Sequence, residues 1–528
     1  MKRCFAMGVT LILFLTFAII PASAELSITI EDLGTLGGTY SQPVAINEQG
    51  QVVGYSGTKV WNESHAFIWN STDGMIDIGV LSGYYSTPVA INEQGQVLGH
   101  SAGVASGKHA FIWDSTDGMQ DLGTLGGVLS DPLAINEQGQ VIGQSLTGYP
   151  HQYHAFIWTP TDGIQDIGTL GGTGYSDAVA INEQGQVIGT CFSSSPWESY
   201  GFIWTLTDGI QDIGHLGGGK SGTTAINELG QVIGYSQIKS GEWHAFIWDS
   251  TDGMQDLGTL GGTSGYPVHP VAINEQGQVV GYSYTTSNEQ HAFIWTSTYG
   301  IQDLGTLGGT YYRPIAINEQ GQVIGTSYTA SNEQHAFIWT LADGIQDIGT
   351  LGGVYSIPVA INEQGQVVGY SYTDSNEQHA FIWTSTYGIQ DLGTLGGTYS
   401  RPIAINEQGQ VLGWSYTASS DTVLTESHAV IWTIGLSPIT PVEKIEAIID
   451  DIRSLVQDGT LNDGQGNSLI TKLETAERKL NEGNINAACN LLGKPFVNHV
   501  QALINAGILS EIQGQQLIDA ANNAVECE

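Results

Sequence analysis

Histidine opens the same short apolar segment in eight copies of a repeated motif, and imidazole is a common metal ligand. Consecutive histidines are about one repeat apart, whereas two histidines that share a zinc ion each lie about 2 Å from it. We therefore interpret the histidines as half-buried structural residues whose partner is the backbone or a neighbouring repeat. The positions are His65, His109, His154, His244, His291, His335, His379 and His428.

Three further residues depart from the repeat and could support chemistry. Asp131 and Asp177 could form a carboxylate pair of the kind that cleaves glycosidic bonds, with His269 nearby. Cys191 replaces a serine that other copies carry at this position, and we interpret it as a small buried thiol and not a nucleophile. The sequence has no G-x-S-x-G, H-E-x-x-H, P-loop or EF-hand motif. It assigns no catalytic residue, metal site or cofactor.

The repeat itself is built around the phrase AINEQGQV, which begins at Ala45 and recurs along the chain at intervals of 44 to 47 residues. Each copy predicts four short strands, which read VAIN, QVVGYS, HAFIWT and IQDLGTL in the copy from Val271. The asparagine of the phrase, Asn47 in the first copy, is expected to hydrogen-bond the backbone of its own turn. Because this phrase recurs in every copy, we interpret it as a structural element of the repeat and not as the mark of one functional site.

The predicted strands are apolar on both faces, so each small sheet must be covered on both sides by its neighbours. Together with the repeat period, this predicts an all-β propeller of nine four-stranded blades. The last copy has no fourth strand after Trp432, and residues 26–36 form a fourth strand without a copy before them. We expect this N-terminal strand to close the last blade. A smaller ring with irregular fourth and fifth copies is the alternative.

The two ends of the chain differ from the repeats. Residues 1–24 have Lys2 and Arg3, an apolar run and a small-residue cleavage site, which predicts a secretory signal peptide with no membrane span after cleavage. The propeller is predicted over 25–434, a linker over 435–441 and an α-helical domain over 442–528. The net charge of −38 excludes nucleic acid as a partner. The protein is expected to be extracellular, either secreted or held at the cell surface by non-covalent contacts.

Two resemblances follow from these motifs. With AINEQGQVVG, HAFIW and DLGTLGG, residues 32–432 resemble the HAF-repeat family of prokaryotic extracellular proteins, although Tyr200-Gly201-Phe202 and His428-Ala429-Val430 depart from the tripeptide. This resemblance implies export and a surface role, without assigned catalytic residues. The C-terminal stretches LVQDGTLNDGQGNSLITKLETAERKL and QQLIDAANNAV resemble the FIMAH domain, a small helical module. Cys489 and Cys527 fit a disulfide that ties the last helix to this bundle.

In the predicted meander, the 1–2 and 3–4 turns open on one face of the ring and hardly vary. The 2–3 loops and blade connections open on the other, and they vary and are rich in aromatic residues. We therefore predict a secreted or envelope-associated binding or adhesion scaffold whose variable loop face binds a glycan or a protein. The alternatives are a ligand-free structural surface or matrix protein and a propeller glycoside hydrolase or lyase. The candidate residues are Tyr40, Trp61, Tyr84, Tyr85, Trp197, Trp243, Tyr266, Tyr311, Tyr312, Arg313, Tyr355, Tyr399 and Arg401.

Overall fold

The computed structural model describes residues 26–102, 107–149, 152–171, 174–193, 198–262, 268–418, 426–436 and 440–525. The predicted signal peptide lies outside these residues, and so does part of the predicted linker. The chain divides into two compact units, one spanning Ile28–Ile434 and the other containing the C-terminal helices.

The first unit consists of β-strands that are arranged in four-stranded antiparallel blades, and the strands of a blade are here called first to fourth. β1 (Leu26–Asp32) precedes the first complete blade, which is formed by β2 (Gly37–Ile46), β3 (Val52–Thr58), β4 (Ser64–Asn70) and β5 (Gly74–Gly79). The following blades are β6 (Ser86–Ile91), β7 (Val97–Ala102), β8 (Lys108–Asp114) and β9 (Gly118–Asp121); β10 (Gly126–Ile135), β11 (Val141–Thr147), β12 (Tyr153–Thr159) and β13 (Gly163–Asp166); β14 (Gly174–Ile181), β15 (Val187–Ser193), β16 (Ser199–Thr205) and β17 (Gly209–Asp212); and β18 (Gly217–Ile226), β19 (Val232–Ile238), β20 (Trp243–Asp249) and β21 (Gly253–Asp256).

The remaining strands continue this order. They are β22 (His269–Ile273), β23 (Val279–Tyr284), β24 (Gln290–Thr296) and β25 (Gly300–Asp303); β26 (Gly308–Ile317), β27 (Val323–Thr329), β28 (Gln334–Thr340) and β29 (Gly344–Gly349); β30 (Gly352–Ile361), β31 (Val367–Thr373), β32 (Gln378–Thr384) and β33 (Gly388–Gly393); and β34 (Gly396–Ile405), β35 (Gln410–Thr417) and β36 (Ser427–Leu436). The predicted strand types are therefore confirmed, and the fold is mostly β with four-stranded blades.

Two strand boundaries differ from the prediction. The first strand of most blades is longer, because the glycine pair and the residues after it already pair with the second strand, as Gly37 does with Thr58. The fourth strand is shorter in several blades and ends at an aspartate, as β9 does at Asp121. The glycine two positions later, Gly123, has a φ of 77°, which favours glycine, and its equivalent Gly79, with a φ of 78°, is the last residue of β5.

The apolar residues on both faces of a blade are buried between neighbouring blades, as the pattern predicted. Val53 and Ile68 of the first complete blade pack with Val97 and Phe111 of the next. A serine on most first strands joins the blades through polar contacts: the hydroxyl of Ser86 accepts the N–H of Ala66 and donates to the carbonyl of Gly79. These buried hydrogen bonds satisfy backbone groups that would otherwise be unpaired at the blade interface.

The ring is closed by the N-terminal strand. β1 pairs with β36, and the N–H of Leu33 donates to the carbonyl of Ala429 at 3.0 Å. On the inside, the Asn406 amide donates to the carbonyl of Asn47 at 3.2 Å, which joins the last repeat to the first. The first strands of neighbouring blades contact each other all the way round, including β34 with β2. The first strands therefore line the inside of the ring.

The second unit is a helical bundle made of α1 (Pro441–Gln457), α2 (Asp463–Asn481), α3 (Ile485–Leu491), a π-helical segment (Leu492–Phe496), α4 (Val497–Asn505) and α5 (Glu511–Ala524). Thr440, Asn462 and Ser510 form capping boxes at the starts of α1, α2 and α5. The predicted apolar face of α1 is buried in the core of the bundle. Within the described part of the chain, every helix is too short or too polar to span a bilayer.

Candidate functional site

Five of the eleven predicted aromatic residues lie on first strands, and not in loops. Tyr40, Tyr311, Tyr355 and Tyr399 occupy the same position after the glycine pair. Each packs against an aromatic ring on the second strand, with ring centroids 6.4 Å apart for Tyr40 and Tyr55 and 4.8 Å apart for Tyr399 and Trp414. These rings therefore cover the part of the blade that its first and second strands form.

The other predicted aromatic residues are scattered. Trp61 is 93% exposed in a 2–3 loop, and Tyr84 and Tyr85 are exposed in a blade connection. Trp243 begins a third strand and packs against Tyr235. Tyr312 is fully buried, so its prediction as a surface residue is wrong. It stands where other blades carry the bridging serine. Trp197 and Tyr266 lie outside the described residues.

One position of the first strand carries a different residue in almost every blade, and we call these residues the inner-ring set. It precedes a proline in most copies. In chain order the residues are Gln42, Thr87, Asp131, Asp177, Gly222, His269, Arg313, Ile357 and Arg401. The two aspartates are in neighbouring blades, and the two arginines and the histidine are in blades on the other side of the ring. Within the inner-ring set, the acidic and the basic side chains therefore belong to different parts of the ring.

On the acidic side the two aspartates differ. The Asp131 carboxylate is exposed and lies 2.7 Å from the Lys108 ammonium, which balances its charge. Asp177 is half-buried, and burial raises the pKa of its carboxyl group, opposed by a hydrogen bond from Gln144. No described lysine or arginine forms an ion pair with Asp177. Asp177 is therefore the carboxylate whose charge is available to a ligand.

His100 lies beside this acidic side, on the second strand opposite Thr87. Burial lowers the pKa of His100, the charge of Lys108 lowers it further, and Asp131 opposes both effects. Its Nδ1 atom has no hydrogen-bond partner among the described residues. His100 is therefore a neutral imidazole at neutral pH, and it adds no positive charge near the aspartates.

On the basic side the cations are held by aromatic rings. The Arg401 guanidinium lies 4.5 Å from the centre of the Tyr370 ring, and that of Arg313 lies 6.0 Å from the Tyr282 ring. The His269 ring packs against the Tyr282 ring at a tilt of 31°, and the pKa of His269 is lowered by burial and then by the charge of Arg313. Neither arginine forms an ion pair with a described carboxylate. Two guanidinium groups are thus positioned without an anionic partner.

The repeated histidines are paired with aspartates of the fourth strand. His65 Nδ1 lies 2.9 Å from a carboxylate oxygen of Asp77, and the other seven histidines have an equivalent partner. In the copy that lacks this histidine, the Tyr200 hydroxyl donates to Glu198. The structural interpretation is therefore correct, although the partner is a carboxylate on the adjacent strand. Among the described residues, no three histidine, cysteine or acidic side chains are grouped to hold a metal ion.

Cys191 is buried, as predicted, and occupies the position of a second-strand serine. Burial raises the pKa of its thiol to about 11, and the Leu170 N–H donates to the sulfur at 3.4 Å. A thiol with this pKa is protonated at neutral pH, so it is a poor nucleophile. Cys527, the predicted disulfide partner of Cys489, lies outside the described residues, and that disulfide stays a prediction.

The repeated turns are joined into a network by hydrogen bonds within and between blades. The sequence predicted only the hydrogen bonds within each turn. Asn47 accepts the N–H of Gln51 in its own turn, as expected, and also donates to the carbonyl of Asn92 in the next blade. The Glu48 N–H donates to the Glu93 carboxylate in the same way. The phrase AINEQGQV therefore joins the blades as well as turning the chain.

Comparisons with known proteins give matches among solved structures alone. No protein-family model matches the chain, and no curated protein matches it. Dipeptidyl peptidase 4 from Porphyromonas gingivalis is 7% identical with a TM-score of 0.48, and the match covers 72% of this chain and 64% of that one. A puromycin-hydrolyzing peptidase from Mycobacterium tuberculosis is 11% identical with a TM-score of 0.35, covering 67% and 59%.

A third similar structure is the β-propeller domain of the Trilobed protease from Pyrococcus furiosus. It is 13% identical with a TM-score of 0.34, and the match covers 60% of this chain and 99% of that domain. The chain thus spans less than two thirds of the two whole peptidases it matches. The fold class follows from the structure of the chain itself, whose four-stranded blades and β1–β36 pairing define a β-propeller, accompanied by a small helical unit.

These comparisons correct the function that the sequence predicted. A binding or adhesion scaffold is contradicted, because the similar structures are peptidases and a propeller domain of a protease. The structure adds a physical reason for the error, since five of the eleven supposed loop aromatics pack against rings of their own blade. They are therefore less available to an adhesion partner than the sequence implied.

Proposed function

We propose that the propeller serves a peptide-hydrolysing activity by selecting short peptides through their charged ends. The observation that carries this proposal is the division of charge within the inner-ring set. Asp177 is on one side of the ring, and Arg313 and Arg401 are in blades on the other. At neutral pH a free peptide has a cationic amino end and an anionic carboxyl end, so it complements both sides at once.

The chemistry of the basic side suits a carboxylate. A guanidinium group can donate two parallel hydrogen bonds to a carboxylate, and these charge-assisted bonds are stronger than neutral ones. The tyrosine rings beneath Arg313 and Arg401 hold the guanidinium groups without neutralising them. A peptide carboxylate would therefore meet a cation whose charge no described acid has already balanced.

The chemistry of the acidic side suits an ammonium group. Burial makes the charged form of Asp177 unfavourable in the free protein. An ammonium group beside it would favour the charged carboxylate and offset this effect. Asp131 contributes less, because Lys108 already pairs with it.

The proposal concerns selection of the peptide and assigns no catalytic residue. None of the described histidine–aspartate pairs is hydrogen-bonded to a serine or cysteine side chain. Hydrolysis is the activity named for the similar peptidases, and it enters here as part of the proposal. Mass spectrometry of unblocked peptides incubated with the full chain tests that part directly.

The selection itself is tested by calorimetric titration of the full chain with unblocked peptides of two to eight residues. The same peptides with an acetylated amino end, an amidated carboxyl end or both are compared. Each blocked end should weaken binding about tenfold, since hydrogen bonds to charged groups contribute roughly 1.5–3 kcal/mol. In Asp177→Asn, acetylation of the amino end should no longer change the affinity. In the double variant Arg313→Gln with Arg401→Gln, amidation of the carboxyl end should no longer change it.

The matched controls are Asp450→Asn and Arg453→Gln, which make the same charge changes on the exposed surface of α1. They should leave every affinity unchanged. Equal binding of the free and the doubly blocked peptide would refute the proposal.

We further infer a nine-bladed ring, membership of the HAF-repeat family, a FIMAH-type helical module and export of the mature chain. The pairing of β1 with β36 supports the blade number, because it supplies the strand that the last copy lacks. The repeated motifs support the two family assignments, and residues 1–24 support export. Mass analysis of the protein from the culture medium and from the cells tests both the cleavage after residue 24 and the export.

A further inference from the structure

Each residue of the inner-ring set has one residue directly opposite it, on the second strand of the same blade. Side chains directly opposite each other on antiparallel strands lie on one face of the sheet, with Cβ atoms about 4.5–5.5 Å apart. We call these opposite residues the second-strand row. In chain order they are Tyr55, His100, Gln144, Thr190, Tyr235, Tyr282, Thr326, Tyr370 and Trp414.

The second-strand row differs between the charged members of the inner-ring set. Gln144 and Thr190 are opposite the two aspartates, and Thr326 is opposite Arg313. Opposite Arg401 is Trp414, which has the largest side chain of the row. The carboxylates and Arg313 therefore have polar residues across from them, whereas Arg401 has an aromatic ring.

Further aromatic residues surround Arg401. Trp414 stacks against Tyr399, with ring centroids 4.8 Å apart and planes 20° from parallel, and it packs against Tyr416 at 5.6 Å. The Tyr370 ring of the preceding blade lies 4.5 Å from the Arg401 guanidinium group. All four rings are half-buried, so each keeps part of its surface open. The positive charge of Arg401 therefore lies beside an apolar surface formed by two blades.

Arg313 has a different environment. Its side chain is exposed, whereas that of Arg401 is half-buried. Its guanidinium group is 6.0 Å from the centre of the Tyr282 ring, and the residue opposite it is a threonine. Of the two arginines, Arg401 is therefore the one that combines a held cation with a neighbouring apolar surface.

This combination selects one residue of a peptide. The carboxylate at the end of a peptide is bonded to the Cα atom that bears the last side chain. A carboxylate held by Arg401 therefore brings that side chain next to Trp414 and Tyr399. Burial of a large apolar side chain is favourable, and contacts between aromatic rings add to it.

We propose that Arg401 binds the carboxylate of the peptide and that Trp414 and Tyr399 bind an aromatic side chain on its last residue. This inference rests on the proposed function and adds the chemical class of the selected peptides. The acidic side also has an aromatic pair, Tyr175 with Phe192, whose ring centroids are 4.7 Å apart. An aromatic side chain at the amino end would meet that pair and not Trp414, so the test places phenylalanine at each end in turn.

The probes are three unblocked peptides, tetraalanine, Ala-Ala-Ala-Phe and Phe-Ala-Ala-Ala, titrated calorimetrically into the full chain. Ala-Ala-Ala-Phe should bind about tenfold more tightly than tetraalanine. Equal affinities of these two peptides would overturn the inference and leave the proposed function intact. Equal binding of free and doubly blocked Ala-Ala-Ala-Phe would instead refute the proposed function itself.

Variants of the second-strand row locate the selection. Trp414→Thr introduces the residue found opposite Arg313, and it should weaken binding of Ala-Ala-Ala-Phe about tenfold. Its affinities for tetraalanine and Phe-Ala-Ala-Ala should be unchanged, which also shows that the fold is intact. Trp414→Phe keeps an aromatic ring and should retain most of the preference. An equal loss of affinity for both phenylalanine peptides in Trp414→Thr would overturn the inference.

Tyr235→Thr is the matched control, because it removes an aromatic ring at the same position of a blade whose inner-ring residue is Gly222. The ratio of the affinities for Ala-Ala-Ala-Phe and tetraalanine should not change in this variant. A fall in that ratio as large as in Trp414→Thr would refute the role of Trp414.

Single arginine variants separate the two cations. Arg401→Gln should remove the preference for phenylalanine at the carboxyl end, because the carboxylate no longer holds the last residue beside Trp414. Arg313→Gln should weaken binding of Ala-Ala-Ala-Phe and tetraalanine by the same factor and keep the preference. The reverse result would assign the carboxylate to Arg313, which contradicts this inference and not the proposed function.

Discussion

Replacing Asp32 with asparagine is expected to loosen the strand that closes the ring. The carboxylate of Asp32 lies on β1 and accepts hydrogen bonds from His428 Nδ1 and from the Gly34 N–H, both at 2.8 Å. Asparagine keeps an acceptor for Gly34 but removes the negative charge that faces His428. The substitution therefore tests the one ion pair that joins β1 to the last blade among the described residues.

The expected cost follows from the exposure of the pair. A hydrogen bond between charged groups contributes roughly 1.5–3 kcal/mol when it is buried. The Asp32 side chain is 40% exposed, so solvent screening reduces the contribution to about 1 kcal/mol. If β1 opens locally, a loss of this size makes amide exchange of its residues about fivefold faster.

The pair also sets a pH window. The hydrogen bond that His428 donates to the Asp32 carboxylate raises the pKa of His428, and burial opposes this shift. The stabilisation from His428 is therefore complete below the pKa of an unfolded histidine, about 6.5, and is lost as the pH rises through the raised value.

For Asp32, burial favours a higher pKa, but the contacts with His428 and Gly34 outweigh it and lower the pKa. Its contribution is complete above the pKa of an unfolded aspartate, about 3.9, and is lost as the pH falls through the lowered value. The acceleration of amide exchange in β1 by Asp32→Asn should be largest between about pH 4 and 6.5 and smaller at pH 9.

Hydrogen–deuterium exchange of residues 26–33, followed by mass spectrometry at pH 5.5 and pH 9, measures this effect. Asp121→Asn removes the equivalent pair with His109 inside the ring, and it should speed exchange in β9 and leave β1 unaffected. Unchanged exchange of β1 in Asp32→Asn at pH 5.5, or a larger effect at pH 9, would refute the account of closure.

Four further substitutions test the packing and the hydrogen bonds of the ring. Cys191→Ser should change the free energy of unfolding by less than about 1 kcal/mol, because Ser236 accepts the equivalent N–H of Leu216 in the next blade, and a denaturant titration checks it. Gly99→Ala should cost about 3 kcal/mol, since a Cβ atom there would lie 2.5 Å from both the Phe111 ring and the Thr87 carbonyl. Gly118→Ala meets no atom within 4 Å and should cost about 1–2 kcal/mol for its φ of 71°, so equal costs would contradict the packing argument. Asn182→Ala should cost about 2–4 kcal/mol by leaving the Gln186 N–H unpaired and by removing the hydrogen bond to the Asn227 carbonyl, which keeps only the Gly230 N–H, and a thermal midpoint unchanged from the parent protein would count against the network of turns.

The sequence was informative about the blades because their pattern is local. The two-sided apolar strands, the asparagine turn and the strand missing from the last copy all follow from residues that are close in the chain. For seven of the eight histidines, the aspartate partner was also present in the sequence, twelve residues further on, and His428 pairs instead with Asp32 of β1. It was missed because the partner was sought in the backbone or a neighbouring repeat, whereas antiparallel pairing brings the third and fourth strands of one blade together.

The candidate site was predicted less well because a blade connection was mistaken for a loop. The stretch containing Tyr311 and Tyr312 is part of β26, and successive side chains on a strand point to opposite faces. Tyr311 is therefore partly exposed whereas Tyr312 is buried. Most of the inner-ring set could be read from the residue before a proline, although Asp177 and Gly222 precede no proline. The separation of acidic from basic residues around the ring depends on ring closure, which no single repeat encodes.

The most direct test of the central claim is a crystal structure of the propeller with an unblocked short peptide bound. The account predicts that the amino end of the peptide lies about 3 Å from the Asp177 carboxylate and that its carboxylate contacts the guanidinium group of Arg313 or Arg401. A peptide bound at the outer loops near Trp61, with the inner-ring set vacant, would contradict it.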